Sequence, residues 1–109
     1  MATTYKVLGQ VNPSATTATT LYTVPAATQT ILSSISVCNQ AGTAATFRIA
    51  VRPAGAALAA QHYIVYGATV PASDATFFTL GLTLAATDVV TVYASSANLS
   101  FNAYGSEIA

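Results

Sequence analysis

The stretch that decides the fold spans residues 29–52 and reads QTILSSISVCNQAGTAATFRIAVR. Its two arms are rich in β-branched residues, and a glycine-containing segment, Gln40–Ala44, separates them. In the second arm Phe47, Ile49 and Val51 alternate with polar or small residues. Period-two alternation on either side of a short glycine-containing turn is typical of a half-buried β-hairpin. The sequence therefore predicts two long antiparallel strands that pair with each other.

The first arm also predicts which of its side chains enter the core. Ile31, Ile35 and Val37 share one parity, interrupted only by Ser33, and we expect that parity to face inward. Cys38 is the single cysteine of the chain and cannot form an internal disulfide. Because no histidine or basic residue is adjacent to it, we expect a small buried hydrophobe and not a reactive thiol.

The rest of the chain supplies further short strands and no convincing helix. The expected strands outside this stretch are Tyr5–Val11, Leu21–Val24, Gln61–Tyr66, Thr76–Leu80, Asp88–Ala94 and Leu99–Tyr104. Gly67–Asp74 reads as a turn-rich connection and Ser95–Asn98 as a last hairpin turn. Ala56–Gln61 favours helix but is too short to form one alone, so we expect a loop or a single turn.

About seven or eight strands at roughly ten-residue spacing are typical of an all-β fold. We predict an antiparallel β-sandwich or small jelly roll, with residues 1–109 as a single domain. A faint internal repeat fits two similar halves, because the Thr-Val-Pro-Ala segment at Thr23–Ala26 recurs at Thr69–Ala72.

Charge is scarce in this chain, and that excludes several classes of function. Only 6% of the residues are charged, and three basic residues balance three acidic ones. Nucleic-acid binding needs a basic stripe, and no apolar run approaches the ~18 residues of a membrane-spanning helix. The first residues lack the apolar core of a Sec-type signal peptide, so release from a cell would need another route, such as lysis. A neutral surface suits a subunit that buries much of it in an assembly.

Catalytic constellations are not indicated. His62 is the only histidine, and it has no metal-ligand spacing with Asp74, Asp88 or Glu107. Both aspartates precede expected strands, where aspartate favours turns by accepting backbone hydrogen bonds. No Gly-x-Ser-x-Gly elbow or phosphate-binding loop is present. We therefore expect no enzyme, no metal and no cofactor, and a surface or hydrogen-bonding role for His62.

Two arginines are the more informative polar residues. Arg48 and Arg52 lie on the same face of one expected strand, about 13 Å apart, and point opposite to the apolar residues around them. One interpretation is a solubilising outer face, with the arginines paired to Asp88 or Glu107. The other is an interface anchor, since arginine and tyrosine are enriched at binding hot spots.

Aromatic residues lie on the expected strands, where most would be core or cross-strand residues. They are Tyr63, Tyr66, Tyr93, Phe101 and Tyr104. A solvent-facing tyrosine platform for sugar stacking is not indicated, because the chain has no tryptophan and no aromatic cluster along the sequence.

Six segments resemble small structural proteins of tailed-bacteriophage virions. They are Tyr5–Gln10, Leu21–Ala26, Ser36–Asn39, Phe47–Gly55, Leu84–Val90 and Phe101–Ile108. The resemblance covers nearly the whole chain and marks strands and turns, not a chemical site. It implies a β-sandwich subunit on the capsid surface, made in the host cytoplasm, most simply a capsid decoration (cement) protein.

Such a protein would bind the major capsid protein, as a trimer or dimer of itself, and would clamp the assembled shell. The interface candidates in this chain are Arg48, Arg52, Tyr5 and Lys6. Two alternatives stay open. One is a low-copy protein of a tail or head fibre, and the other is a lectin-like carbohydrate-binding module, which an exposed aromatic platform would favour.

Overall fold

Eight β-strands build the fold in the computed structural model, which describes residues 2–109. The strands are β1 Thr3–Val11, β2 Thr19–Thr23, β3 Gln29–Asn39, β4 Ala45–Arg52, β5 Tyr63–Val70, β6 Ala75–Leu84, β7 Val89–Ala94 and β8 Leu99–Ile108. Two short 3₁₀ turns, Pro53–Gly55 and Ala60–His62, lie between β4 and β5. No helix within residues 2–109 has the length and apolar character needed to cross a membrane.

The strands form two antiparallel sheets of four strands each. The first sheet has the order β1-β8-β3-β6, and the second has the order β2-β7-β4-β5. Within these sheets β1 pairs with β8, β2 with β7, β3 with β6 and β4 with β5. The first half of the chain is therefore rolled up antiparallel against the second half, which is the arrangement of a jelly roll. The predicted all-β antiparallel sandwich is confirmed.

The hairpin predicted over residues 29–52 is wrong. β3 pairs with β6 and β8 in the first sheet, whereas β4 pairs with β5 and β7 in the second. The two arms face each other across the core and do not lie side by side. Either arrangement buries one face of each strand, so alternation alone does not distinguish them. For the same reason Ser95–Asn98 is a crossing between sheets and not a hairpin turn.

Asn39 holds the chain at the corner between β3 and β4. Its side chain is 2% exposed, and its amide nitrogen donates to the carbonyl oxygens of Thr43 at 2.8 Å and Val70 at 3.3 Å. Its carbonyl oxygen accepts the backbone N–H of Ala41 at 2.9 Å. These bonds satisfy backbone groups that lie between the two sheets and have no partner in either of them.

A β-bulge changes which residues of β3 face inward. The pairing register shifts around Ser33 on both sides of the strand. Leu32 therefore points into the core on one side of the bulge, and Ile35 and Val37 do so on the other. Ile31, predicted to be a core residue, lies on the outer face with 41% of its surface exposed. One extra residue in a strand reverses the parity beyond it, which strict alternation does not reveal.

β5 is longer than the sequence predicted. Gly67–Asp74 was expected to be a connection, but the strand continues to Val70. Gly67 has φ of 75° and sits where the register between β4 and β5 shifts. A positive φ costs glycine little, so this glycine marks a bulge inside the strand and not its end.

The core lies between the two sheets and centres on three phenylalanines. Phe47 of the second sheet packs edge-on against Phe78 and Phe101 of the first, with ring centroids 5.9 Å and 6.1 Å apart. Phe47 and Ile49 are fully buried, as their parity predicted, while Val51 is half-buried. Apolar side chains from both sheets surround the three rings.

The internal repeat marks two equivalent corners. Thr23–Ala26 leads from β2 into β3, and Thr69–Ala72 leads from β5 into β6, so both segments carry the chain from the second sheet to the first. The valine of each segment is buried. Each is followed by a residue with positive φ, Ala27 at 56° and Ser73 at 51°. The two halves thus share a turn geometry as well as four residues.

Replacing Phe47 by alanine should destabilise the protein by about 3–5 kcal/mol, because the change removes a fully buried ring and leaves a cavity. Phe77→Ala is the matched control, since Phe77 is 76% exposed and should change the free energy of unfolding by less than about 0.5 kcal/mol. Urea denaturation measures both values. Equal losses for the two variants would contradict the placement of Phe47 at the centre of the core.

Candidate functional site

The four interface candidates do not form one site, because they lie on different sheets. Arg48 and Arg52 are on the outer face of the second sheet, on β4. Tyr5 is on the outer face of the first sheet, while Lys6 points the other way, toward Glu107. The fold brings the two arginines onto one surface and separates them from Tyr5 and Lys6.

Arg48 lies between two tyrosine rings. Its guanidinium carbon is 4.3 Å from the ring centroid of Tyr66 and 4.2 Å from that of Tyr93. The three residues stand directly opposite one another on β5, β4 and β7. Tyr63 extends this set, with its ring centroid 4.9 Å from that of Tyr66 in an edge-on arrangement. We name these four residues the tyrosine–arginine row.

Stacking of this kind holds a guanidinium by cation–π attraction to the ring faces. The interpretation that pairs Arg48 and Arg52 with Asp88 or Glu107 is wrong in that detail, because the only salt bridge within residues 2–109 joins Lys6 to Glu107. The positive charge of Arg48 is therefore not balanced by a neighbouring carboxylate. Its cross-strand tyrosines orient it instead.

Arg52 anchors the loop that follows β4. Its Nε donates to the hydroxyl oxygen of Thr91 at 3.0 Å. Its Nη1 donates to the carbonyl oxygens of Ala56 at 2.9 Å and Gly55 at 3.3 Å. These contacts tie the loop to β7, so Nε and Nη1 of Arg52 are engaged within the chain and this residue is a structural anchor.

Asp88 and His62 fix the same loop, residues 53–62. A carboxylate oxygen of Asp88 accepts the backbone N–H of Ala54 at 2.9 Å. The Nδ1 of His62 accepts the backbone N–H of Ala59 at 3.1 Å, which places the proton of the neutral ring on Nε2. The predicted hydrogen-bonding role of His62 is confirmed, although its side chain is buried and does not lie at the surface.

The loop and β5 border an open groove of about 620 Å³. It is lined by Leu58, Ala59, Ala60, Tyr63 and Tyr66. Tyr66 is 65% exposed and belongs both to this groove and to the tyrosine–arginine row. An exposed aromatic surface therefore exists that the sequence did not indicate. The members of the tyrosine–arginine row come from three strands, and the strand order of the second sheet brings those strands together.

The outer face of the first sheet has the opposite chemistry. The alternation and register of its four strands place no charged side chain on this face. Its large exposed residues include Tyr5, at 83% exposure, and Phe77. Tyr5, Ile31 and Tyr104 border a shallow groove of about 370 Å³, which Lys6 of the edge strand β1 also lines, although its amine turns to Glu107. Serines, threonines and asparagine fill most of the remaining positions.

Cys38 also lies on this face, opposite Ser100 and Ala75 of the neighbouring strands. It is half-buried, so the prediction that it is a small, buried hydrophobic residue is wrong. The inward positions beside it belong to Val37 and Asn39, which are both fully buried.

Lys6, Glu107 and Tyr22 form a polar cluster where β1 and β2 meet. Lys6 Nζ lies 3.2 Å from Glu107 Oε1, and the Tyr22 hydroxyl donates to Glu107 Oε2 and lies 2.8 Å from the hydroxyl of Thr30. The hydrogen bond from Tyr22, together with the hydrogen bond and charge of Lys6, lowers the pKa of Glu107 against the opposing effect of burial. Burial, followed by the hydrogen bond to Glu107, raises the pKa of Tyr22 to about 12.

Within residues 2–109, no three side chains among His, Cys, Asp and Glu lie together in a way that could hold a metal ion. Each acidic residue has a structural contact: Asp74 and Asp88 accept backbone N–H groups, and Glu107 accepts from Tyr22 and Lys6. The candidate binding surfaces are therefore the two outer sheet faces, one neutral and one aromatic with a cation.

Comparison with known proteins gives no family assignment: no protein-family model matches the chain, and no curated protein sequence is significantly similar to it.

The polar cluster predicts how stability depends on pH. Glu107 has a lowered pKa in the folded state, so the unfolded state takes up a proton first and stability falls as pH drops through the folded pKa. Tyr22 has a raised pKa, so the unfolded state loses its proton first and stability falls between about pH 10 and pH 12. Urea denaturation from acid to alkaline pH should show a plateau between these limits.

Tyr22→Phe is the control for the alkaline limb. It should reduce the loss of stability above about pH 10, because the variant has no buried phenol to ionise at that position. A variant with the same alkaline profile as the native protein would contradict this assignment.

Arg52→Met should loosen residues 53–62 without unfolding the sheets. The variant keeps the length of the side chain but loses its bonds to Thr91 and Ala56. Backbone amides of Ala56 and His62, which close the two 3₁₀ turns, should exchange with deuterium about three- to tenfold faster. Lys6→Met, which removes the same charge elsewhere, should leave both amides unchanged. Unaltered exchange in Arg52→Met would show that Arg52 does not anchor the loop.

Proposed function

We propose that this protein is a non-enzymatic virion structural protein, most simply a capsid decoration protein that binds the assembled shell of major capsid protein and stabilises it. The observation that carries the proposal is the uncharged outer face of the first sheet, with Tyr5 and Phe77 exposed on it. The resemblance of six segments to small virion proteins points the same way. Jelly rolls also occur among viral capsid proteins, which is an analogy of fold alone.

A neutral sheet face suits permanent docking for a physical reason. Burying charged groups against a partner carries a desolvation penalty, and this face has no charges to desolvate. Interface cores are depleted in charge and enriched in aromatic residues, as this face is. A subunit that binds only the assembled shell stabilises it by mass action.

The edge of the first sheet favours self-association as well. β6 is an edge strand of ten residues and contains neither a charged residue nor a proline. Proteins commonly protect such edges with charges, prolines or a covering segment. A neighbouring copy in a dimer or trimer would cover β6, and the major capsid protein would then contact the flat face beside it.

A lectin-like carbohydrate-binding module is the second candidate. The exposed ring of Tyr66 and the groove beside it favour it, since an aromatic platform is what that function requires. A fibre protein would differ from a decoration protein in its place on the virion and in its low copy number.

Quantitative mass spectrometry of purified virions tests the main proposal. We expect hundreds of copies per particle, at a fixed ratio to the major capsid protein. A handful of copies would assign the protein to a tail or a fibre, and its absence from particles would overturn the virion proposal.

Phe77→Ala should weaken binding to capsids that lack this protein by at least about tenfold, because loss of an aromatic hot-spot residue costs about 2 kcal/mol or more. Ile64→Ala is the matched control, since Ile64 is an exposed apolar residue of β5 in the second sheet. Co-sedimentation with capsids measures both. Undiminished binding of Phe77→Ala would show that the first sheet does not contact the shell.

A further inference from the structure

The groove beside the tyrosine–arginine row has the features of a ligand site on the face opposite to the proposed shell contact. Its volume of about 620 Å³ is within the range of small-molecule sites. Its position does not depend on shell binding, because it lies on the second sheet and the neutral face lies on the first. If the first sheet docks on a shell, this groove points outward.

The guanidinium of Arg48 is held as an oriented donor. Ring faces cover it on two sides, at 4.3 Å and 4.2 Å, so its N–H groups are directed around the edge of the plane. Within residues 2–109 it forms no salt bridge. A planar guanidinium with open N–H groups matches a carboxylate, which accepts two parallel hydrogen bonds.

The groove is suited to the part of such a ligand that lies away from its carboxylate. Tyr66 stacks on Arg48 and also lines the groove, so the cation lies one ring away from the groove. The tyrosine rings and the side chains of Leu58 and Ala60 give apolar surface, while the tyrosine hydroxyls can donate and accept hydrogen bonds. A sugar ring has an apolar face and hydroxyl groups at its rim, which is the combination these side chains accommodate.

Within residues 2–109 no acidic side chain forms a salt bridge with Arg48, since the salt bridge there joins Lys6 to Glu107. Asp88 accepts from Ala54 and Ala85, Asp74 from Ala75, and Glu107 pairs with Lys6. An aromatic surface beside a cation that forms no salt bridge favours an acidic ligand over a neutral one.

We propose that this groove and the adjoining tyrosine–arginine row bind an acidic oligosaccharide, with one sugar ring against Tyr66 and Tyr63 in the groove and the carboxylate of a neighbouring sugar unit at Arg48. The proposal gives the carbohydrate-binding candidate a site and a ligand class, and it rests on that candidate and not on shell binding. Tyr66 and Tyr63 supply the apolar contact, and Arg48 supplies the preference for a charged sugar.

Isothermal titration of the native protein with digalacturonate, and with its neutral counterpart galactobiose, tests the proposal. Digalacturonate should bind at least about tenfold more tightly, since a charge-assisted hydrogen bond separates the two ligands. Sialyllactose against lactose repeats the comparison with a different source of the carboxylate. Equal affinity for acidic and neutral sugars, or no binding of either acid at about 10 mM, would overturn the proposal.

Variants identify the residues. Arg48→Met should reduce digalacturonate binding to the level of galactobiose, and Arg48→Lys should lose part of the preference, because lysine keeps the charge and lacks the planar fork. Tyr66→Ala should weaken both sugars. Lys6→Met is the charge-matched control and should leave the affinity unchanged. An unchanged preference in Arg48→Met and Arg48→Lys, or an acidic peptide that competes more strongly than the sugar, would overturn the assignment.

Failure of the sugar-binding proposal would not affect the shell-binding proposal, because the two concern different sheets. Phe77→Ala should bind digalacturonate like the native protein, since Phe77 lies on the other sheet. Loss of sugar binding in Phe77→Ala would contradict the placement of the ligand on the second sheet.

Discussion

The packing of Phe47 against Phe78 and Phe101 is the contact on which the rest of the structure depends. It joins the second sheet to the first through the apolar core that lies between them. A jelly roll of this size has one core, and each sheet buries one face in it. Once the three rings meet, the opposite face of each sheet is directed outward. The two candidate surfaces are therefore consequences of the core.

Local pattern in the sequence predicted the strands well, because period-two alternation reports how a strand meets a core. Phe47 and Ile49 point inward and Arg48 points outward, as that pattern requires. The pattern is silent about which strand lies next to which. The β3–β4 segment was expected to be a hairpin, since two amphipathic strands bury themselves equally well side by side or face to face. Asn39 stabilises the face-to-face arrangement through hydrogen bonds to the carbonyl oxygens of Val70 and Pro71, which are distant in sequence.

Register irregularities limited the prediction of individual side chains. The bulge at Ser33 turns Ile31 outward, and the positive φ of Gly67 continues β5 where a turn was expected. The tyrosine–arginine row could not be predicted from the sequence for a related reason. Its four members become neighbours only through the pairing of β4 with β5 and β7, which depends on the global strand order. The alternation along β4 predicted that the Arg48 side chain points outward, but not that two tyrosine rings flank it.

The opposed directions of the two outer faces give the subunit a polarity. A layer of such subunits, all bound through the neutral face, would present every tyrosine–arginine row on the same side and in the same orientation. Linked or arrayed sites bind a multivalent ligand more tightly than one site does, by about 10²–10⁴-fold when the spacing permits simultaneous contact. A groove of modest affinity could then act strongly on a polymer of repeated units. The affinity of a single chain in solution would understate what an ordered lattice of this fold can hold.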